Sequence, residues 1–331
     1  LLVFRITADV SDIRHAAYAA LYWCIYPPVL LYNSLVLSEP LYTCLILALL
    51  AFLLTMEKKL SKRPFENLIS YGISALIVAV LLRMINIVRP VAGVLIIALI
   101  LWVVFLGGRT LFQLKKGAGV LCLVVLLSGY YVTGWFWTTW IAKQLGEKPA
   151  SLPVYNILTG MNEEVSGTHS AEDFEMLMLA LEDNTLSAND AQHLLVEPLR
   201  ERVTAKEFHY LRLLAEKMKI FGGNDDSAAA YVYGSVSFTQ YKGLRDLSNT
   251  AYYTLVILTI IALLRDRKRQ GLSAYVILPL FVLGLTMAHV LFFEVEGRYH
   301  YSMIPLLTIM ANARPTDNCA EQKTVGRTSI G

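Results

Sequence analysis

The sequence GAGVLCLVVLLSGYYVTGWFWTTWIA, residues 117–142, contains 26 residues and no charged side chain. An α-helix crosses the hydrocarbon core of a bilayer with about 20 apolar residues. The stretch also carries Trp135, Trp137 and Trp140 near its C-terminal end, where a transmembrane helix typically places aromatic residues at the water interface. Residues 117–142 therefore predict a transmembrane helix and a membrane-embedded fold.

Similar uncharged stretches occur on both sides of this one. They cover residues 16–38, 40–56, 67–82, 90–108, 247–264, 271–293 and 301–313. The stretch 67–82 reaches spanning length by including Arg83, and the last stretch is short. The chain is 56% hydrophobic and 17% charged, whereas about a quarter of the residues of a soluble domain are charged. We predict an all-α integral membrane protein with about eight transmembrane helices.

Basic residues between the stretches predict the orientation, because Lys and Arg near span ends favour the cytoplasm. If all eight stretches cross, three basic clusters share one side: Lys58, Lys59, Lys62 and Arg63; Arg109, Lys115 and Lys116; Arg265, Arg267, Lys268 and Arg269. The predicted regions are an N-terminal membrane region 1–142, an extracytoplasmic domain 143–246, a C-terminal membrane region 247–313 and a polar cytoplasmic tail 314–331.

The region predicted to be extracytoplasmic differs in composition from the rest of the chain. Residues 141–248 contain 10 Lys and Arg against 16 Asp and Glu, whereas the remainder contains 19 against 10. Its apolar residues follow the pattern of short amphipathic helices. Ser170 with Asp173 predicts the start of one helix, and Thr204 with Glu207 predicts the start of another that ends at Gly222-Gly223. We expect a folded α-helical domain.

Several classes of function are disfavoured. The four cysteines form no C-x-x-C pair, and the histidines lack the spacing of a metal site, so we expect neither a disulfide framework nor a metal. Basic residues lie in short clusters between apolar stretches, which disfavours nucleic acid as a partner. The chain begins at Leu1 without a signal-peptide pattern, and we expect an N-terminal part of the natural protein to precede it.

Charged residues beside the apolar stretches are the best functional candidates, because ionisable groups at membrane depth are costly and usually face a polar cavity. They are Glu39, Arg83, Arg89, Glu294, Glu296 and Arg298. Pro27-Pro28 in the first stretch also predicts a kinked or partly re-entrant segment. In the predicted topology, Glu39, Arg89 and residues 294–300 reach the extracytoplasmic side together with the acidic domain.

Three motifs follow one another along the chain: Asn33-Ser-Leu-Val-Leu-Ser-Glu-Pro-Leu, Arg89-Pro90, and Glu296-Gly-Arg-Tyr-His-Tyr-Ser-Met-Ile-Pro-Leu. In this order they resemble the motifs of the lipid-linked glycosyltransferases of the GT-C superfamily. The resemblance is in particular to the bacterial relatives of protein O-mannosyltransferases and of the aminoarabinose transferase of lipid A. The run Gly160-Met-Asn-Glu-Glu-Val-Ser-Gly-Thr-His-Ser-Ala-Glu-Asp also looks like a loop of Gram-positive members. The resemblance covers most of the chain up to Ala313.

The resemblance implies a GT-C-like fold and transfer of a sugar from a polyprenyl-phosphate carrier at the outer face of the cytoplasmic membrane. The acceptor is a glycan, a lipid or a protein, and membrane lipid surrounds the site. No cofactor is implied besides the polyprenyl-phosphate-linked sugar that serves as donor substrate. The family places its main catalytic acid residue, an Asp, in the first extracytoplasmic loop. This chain shows no such loop before its apolar stretches, so the catalytic residue stays unassigned.

Roles for the remaining residues follow from the chemistry of the donor. A guanidinium at headgroup depth can bind a lipid phosphate bidentately and stabilise the charge that develops on it. Arg298 is the first choice for this role and Arg89 the second. We expect the following residues to position the donor: Glu39, Glu294, Glu296, Tyr299 and His300. We expect Asn162, Gly167 and Asp173 to shape an outer loop on the acceptor side.

Simpler structural explanations exist for most of these residues. Arg89 can anchor a helix end at the headgroups, and Arg298 can form a local ion pair with Glu294 or Glu296. Glu39 can complement the dipole of the helix it begins, and Arg83 can pair with a carboxylate or extend to the surface. Two other functions also fit a membrane protein of this kind: a transporter of lipid carriers or polysaccharide, and an accessory subunit that binds a partner through its soluble domain.

Overall fold

In the computed structural model, the residues described are 1–33, 35, 37–62, 68–102, 118–146, 152–182, 188–266 and 273–313. Several predicted features lie outside these ranges: Arg63, the cluster Arg109, Lys115 and Lys116, the group Arg267, Lys268 and Arg269, residues 103–108 of one apolar stretch, and the tail 314–331.

The described part of the chain is helical and contains no β-strand. Its α-helices are α1 Leu2–Val10, α2 Ile13–Ile25, α3 Pro27–Tyr32, α4 Ser38–Lys62, α5 Leu68–Val88, α6 Ala92–Leu101, α7 Ala118–Leu145, α8 Pro153–Gly160, α9 Ala171–Leu181, α10 Ala188–Ala191, α11 Val196–Thr204, α12 Tyr210–Gly222, α13 Ser227–Ala230, α14 Phe238–Asp266, α15 Ser273–Leu291 and α16 Ile304–Asn312. Three 3-10 helices accompany them, at Gln192–Leu195, Tyr233–Ser235 and Gly297–Met303. The all-α prediction is confirmed.

Four of these helices are long and apolar enough to cross a membrane. The qualifying segments are Ser38–Lys59, Leu68–Val88, Gly119–Leu145 and Phe238–Arg265, and two shorter apolar helices cover Ala92–Leu101 and Val276–Leu291. Helix α5 continues through Arg83 to Val88, as the length of its apolar stretch required. The chain therefore has the helices of an α-helical membrane protein.

The apolar core lies where α1, α4, α5, α6, α15 and α16 meet. Its fully buried side chains include Ile6, Ile46, Leu50, Leu82, Phe281 and Ile309. Helix α7 packs along α5 with Gly129 at the contact, where an added Cβ would lie 2.9 Å from Leu76 Cδ1. The absence of a side chain at Gly129 lets the two helices approach closely.

The first apolar stretch is interrupted at the double proline. Tyr26 adopts an extended conformation with ψ 119°, and it separates α2 from α3. Proline fixes its own φ and disfavours the helical conformation for the residue before it, so the break follows from Pro27-Pro28. The described part of this stretch therefore forms two helices, α2 and α3, instead of one continuous helix.

One of the two predicted helix starts in the polar region is confirmed, and the other is wrong. The Ser170 side chain accepts a hydrogen bond from the Asp173 backbone N–H at the start of α9. Thr204 instead is the last residue of α11, and its hydroxyl donates to the Arg200 carbonyl at 2.8 Å, so it does not cap a following helix. Helix α12 begins at Tyr210 and ends at Gly222, so the predicted end is confirmed.

Candidate functional site

Three chain segments bring charged residues together at one end of the bundle. Glu39 lies in the first turn of α4, where a carboxylate complements the helix dipole. Arg89 directly follows α5, which ends before Pro90. Glu294, Glu296 and Arg298 lie between α15 and the 3-10 helix Gly297–Met303, or at the start of that helix. Residues that are distant in sequence thus form one polar cluster.

Glu39 connects the two arginines of this cluster. Its carboxylate is buried, with 3% of the residue exposed. Glu39 Oε1 lies 2.5 Å from Arg89 Nη2 and 3.6 Å from Arg298 Nε. A buried carboxylate is costly unless it is paired, so the two guanidinium groups compensate the charge of Glu39. Glu39 thus pairs with both arginines in addition to complementing the dipole of α4.

Arg298 has partners on two other elements. Its Nη1 donates to the Tyr231 hydroxyl at 2.7 Å, and its Nε lies 2.5 Å from Glu296 Oε2. The Nε–H does not align as a hydrogen bond with an oxygen of the described residues, so this contact with Glu296 is mainly Coulombic. Burial alone lowers the pKa of Arg298, but Glu296 and neighbouring groups raise it overall, so the side chain is always charged.

Tyr299 lies between the two guanidinium groups. The centre of its ring is 4.5 Å from Arg89 Cζ and 5.7 Å from Arg298 Cζ, within the range of cation–π contacts. Its hydroxyl donates to Glu294 Oε2 at 3.3 Å. Burial and then the charge of Glu294 raise the pKa of Tyr299, so the phenol stays protonated and remains a donor.

A cleft of about 150 Å³ opens beside the cluster. Its lining residues are Arg89, Pro90, Val91, Asn156, His289, Phe293, Glu294 and Tyr299. Burial and then Glu296 raise the pKa of Glu294, so this carboxylate binds a proton more readily than a solvated one. The cleft has room for a small polar group next to the Arg89 guanidinium and the Glu294 carboxylate. Glu39, Glu296 and Arg298 are not among its lining residues.

The cluster is not a simple cationic site. Glu39, Glu294 and Glu296 supply three carboxyl groups against the guanidinium groups of Arg89 and Arg298. An arginine has five N–H donors, so each guanidinium can keep a carboxylate partner and still donate to an incoming anion. Any anion that enters the cluster therefore competes with these carboxylates for the N–H donors of the two arginines.

No family model, curated protein or solved structure matches this chain. Within the described ranges, no three His, Cys, Asp or Glu side chains are arranged to hold a metal ion. Any functional assignment therefore depends on the chemistry of the cluster itself.

The predicted outer-loop residues build a compact loop that packs against the cluster. Asp173 is fully buried and pairs with Arg202, whose Nη2 lies 2.7 Å from Asp173 Oδ1. Asn162 Nδ2 donates to Asp173 Oδ2 at 3.0 Å. Gly167 has φ +72°, a conformation that favours glycine, and its N–H donates to the Asn162 carbonyl at 2.7 Å. All three residues hold the shape of this loop.

The loop also holds the segment that carries Glu294. The Val295 N–H donates to the Gly167 carbonyl at 2.9 Å, and the Glu294 N–H donates to the Asn156 carbonyl at 3.1 Å. A Cβ at Gly160 would lie 2.3 Å from the Phe292 carbonyl oxygen, so glycine permits this close approach. The loop therefore positions Glu294, although Asn162, Gly167 and Asp173 do not line the cleft.

Lys217 is a positioning residue that the sequence analysis missed. It is fully buried, and its Nζ donates to the Gly160 carbonyl at 2.9 Å and to the Phe293 carbonyl at 2.7 Å. It thereby links the loop to the segment before Glu294. A signal existed in the sequence: Leu213, Lys217 and Phe221 share one face of α12 at helical spacing, and that face is buried.

His300 lies in the core next to the cluster and does not line the cleft. It is 1% exposed, its Nδ1–H donates to the Phe221 carbonyl at 2.7 Å, and its Nε2 lies 3.2 Å from Asp225 Oδ1. The Tyr26 hydroxyl donates to the other oxygen of Asp225 at 2.5 Å. This buried network fixes the 3-10 helix that begins next to Arg298, and its members Asp225 and Tyr26 were not predicted.

The pH dependence of stability tests the buried state of Lys217. Burial lowers its pKa from 10.5 to about 8. Between these two values the unfolded chain binds a proton that the folded chain does not, so this group makes the protein more stable as the pH rises from 8 towards 10.5. The free energy of unfolding of wild type, minus that of Lys217→Met, should therefore increase as the pH rises from 8 to 10.5. The expected increase is on the order of 1 kcal/mol or more.

The measurement is the thermal unfolding midpoint of wild type and variants in detergent at pH 7, 8, 9 and 10. Lys219→Met is the matched control, because Lys219 lies on the same helix and is exposed. A difference between wild type and Lys217→Met that stays constant over this range would contradict the assignment.

Proposed function

We propose that this protein is a GT-C-type membrane glycosyltransferase that moves a sugar from a polyprenyl-phosphate carrier to an acceptor at the outer face of the cytoplasmic membrane. The observation that carries the proposal is the meeting of the three resemblance motifs. Glu39 of the first motif, Arg89 of the second, and Glu296 and Arg298 of the third form one chain of ion pairs. Residues separated by up to 259 positions thus share one site, next to apolar helices.

The charges of this site suit the leaving group of the reaction. Transfer breaks the bond between the sugar C1 and the phosphate oxygen and leaves an anionic lipid phosphate, while the acceptor oxygen forms the new bond to C1. Arg298 and Arg89 stabilise the phosphate through charge-assisted hydrogen bonds. Tyr299 keeps the two guanidinium groups in place, and Glu294 offers a carboxylate in the cleft for a sugar or acceptor hydroxyl.

The proton of the acceptor needs a base, and the resemblance assigns that role to an Asp that this chain does not show. The proposal therefore places donor binding in the present cluster and leaves the base unassigned. It also includes a GT-C-like arrangement of about eight crossings, with residues 143–246 on the same side as Glu39 and Arg298. The four helices of spanning length and the two shorter apolar helices support this arrangement.

Turnover of defined donors tests the proposed function. The full-length protein is reconstituted in liposomes with a panel of polyprenyl-phosphate sugars and a membrane extract as acceptor source, and released polyprenyl phosphate is quantified. We expect release that depends on the protein and on one class of donor. Movement of the intact donor across the bilayer without cleavage would instead support a transporter. Activity that appears only after a second subunit is added would support an accessory role.

A further inference from the structure

Arg83 lies inside a helix of spanning length, five residues before the end of α5. Its guanidinium points towards α7, into space that Gly134 leaves open. A Cβ at position 134 would lie 2.4 Å from both Arg83 Cζ and Nε, so a side chain there is incompatible with the observed position of the guanidinium. The space between α5 and α7 at Gly134, called the crevice below, thus contains the positive charge of Arg83.

Within the described part of the chain, this charge has no anionic partner. Arg83 Nε is buried and makes no hydrogen bond there, and the contact of the guanidinium is with the ring of Tyr130, whose centre is 5.2 Å from Cζ. A charged group at membrane depth is costly and normally pairs with an opposite charge or faces a polar cavity. The single aromatic ring leaves the buried Nε–H of Arg83 without a hydrogen-bond acceptor in the described residues.

The depth of Arg83 along the helices matches that of lipid headgroups. Gly134 immediately precedes the aromatic group Trp135, Trp137 and Trp140 on α7, and such groups mark the boundary between headgroups and hydrocarbon. Side chains near the crevice point outward: Trp135 is 70% exposed, Tyr131 72% and Ile87 of α5 40%. In a bilayer whose interface lies at these tryptophans, the mouth of the crevice faces lipid at the level of the phosphate groups.

The crevice is separate from the donor cluster. Arg89 follows Arg83 by six residues, which places the two side chains on different faces along α5. Arg89 contacts Glu39 and Tyr299, whereas Arg83 contacts α7. The two guanidinium groups are therefore available to two different ligands.

We propose that Arg83 binds the phosphate of an anionic phospholipid in the crevice between α5 and α7. The planar guanidinium matches a phosphate with two parallel N–H donors. The apolar and aromatic surfaces of α7 accommodate the acyl chains and the glycerol region. Because anionic lipid satisfies a charge that the described protein residues leave unsatisfied, this lipid also stabilises the contact between α5 and α7.

Native mass spectrometry of the purified full-length protein tests this proposal with phosphatidylglycerol as the probe. We expect one retained lipid whose apparent affinity falls at least about tenfold in Arg83→Gln, since one charge-assisted contact is lost. Arg83→Lys keeps the charge without the planar fork and should give an intermediate affinity. Lys143→Gln removes an exposed cation from the same end of α7 and should bind like wild type.

Several outcomes would overturn the proposal. They are equal affinity of wild type and Arg83→Gln, an equal loss in Lys143→Gln, and binding of phosphatidylcholine as tight as that of phosphatidylglycerol. Preferential displacement of the lipid by polyprenyl monophosphate would assign the crevice to the sugar carrier instead. If Arg83→Gln does not fold, Arg83→Lys provides the test. A severalfold loss of affinity for phosphatidylglycerol with an unchanged unfolding midpoint would support the site. Wild-type affinity of Arg83→Lys would contradict it.

Discussion

Replacing Arg298 by lysine is expected to lower kcat for sugar transfer by about 100-fold or more. Lysine keeps one positive charge but loses the planar fork that reaches Glu296 and Tyr231. In the proposed function the same fork also binds the donor phosphate. Because charge develops on the phosphate as the sugar leaves, the lost interaction affects the transition state more than the bound donor. The measurement is release of polyprenyl phosphate under saturating donor, together with KM.

A matched control separates this effect from a general loss of positive charge. Arg200 lies on α11 with 73% of its side chain exposed, and Arg200→Lys should leave both kcat and KM unchanged. The unfolding midpoint of each variant verifies that the fold is intact. Wild-type turnover in Arg298→Lys would show that Arg298 forms a structural ion pair with Glu296 and has no role in transfer.

Replacing Asp173 by alanine is expected to produce the largest loss of stability among the predicted residues, about 3 kcal/mol in the free energy of unfolding of the loop and its surrounding helices. Asp173 is fully buried, and its loss leaves the guanidinium of Arg202 and the amide of Asn162 without their carboxylate. Uncompensated buried polar groups are costly. Hydrogen exchange of residues 153–181 and the thermal midpoint measure the effect.

The control for this substitution lies one residue earlier. Glu172 occupies the same first turn of α9 and is exposed, so Glu172→Ala should change stability by less than about 0.5 kcal/mol. If Asp173→Ala and Glu172→Ala behave alike, the buried pair with Arg202 does not stabilise the loop, and the support for Glu294 must come from Lys217 and the backbone contacts.

Local sequence signals predicted the long apolar helices and selected the charged residues of the cluster, but they placed one helix start wrongly at Thr204. The long uncharged stretches predicted α5 and α7, because spanning length depends on composition alone. Glu39, Arg89 and Arg298 were selected because an ionisable group at membrane depth is costly and usually faces a polar cavity. In the structure, the Glu39 carboxylate contacts both arginines.

The remaining features depend on contacts that a linear pattern does not encode. Lys217 resembles a surface lysine until the packing of α12 buries it, and Asp225 acquires its role when Tyr26 and His300 approach it from distant segments. Asp173 was selected as a loop residue, but its burial against Arg202 depends on α11 packing beside α9. The role of each of these residues depends on its burial in the tertiary structure, because an unpaired polar side chain is costly only where it is buried.

Photo-crosslinking of the donor lipid tests most directly whether the cluster of Glu39, Arg89 and Arg298 is the donor site. The full-length protein in liposomes is labelled with a polyprenyl-phosphate sugar that carries a diazirine next to the phosphate, and labelled peptides are mapped by mass spectrometry. We expect label in residues 294–300, suppression by excess unlabelled donor, and strong reduction in Arg298→Lys. Label that is confined to the exposed surfaces of α7 and α14 and is unaffected by excess donor would contradict donor binding at the cluster.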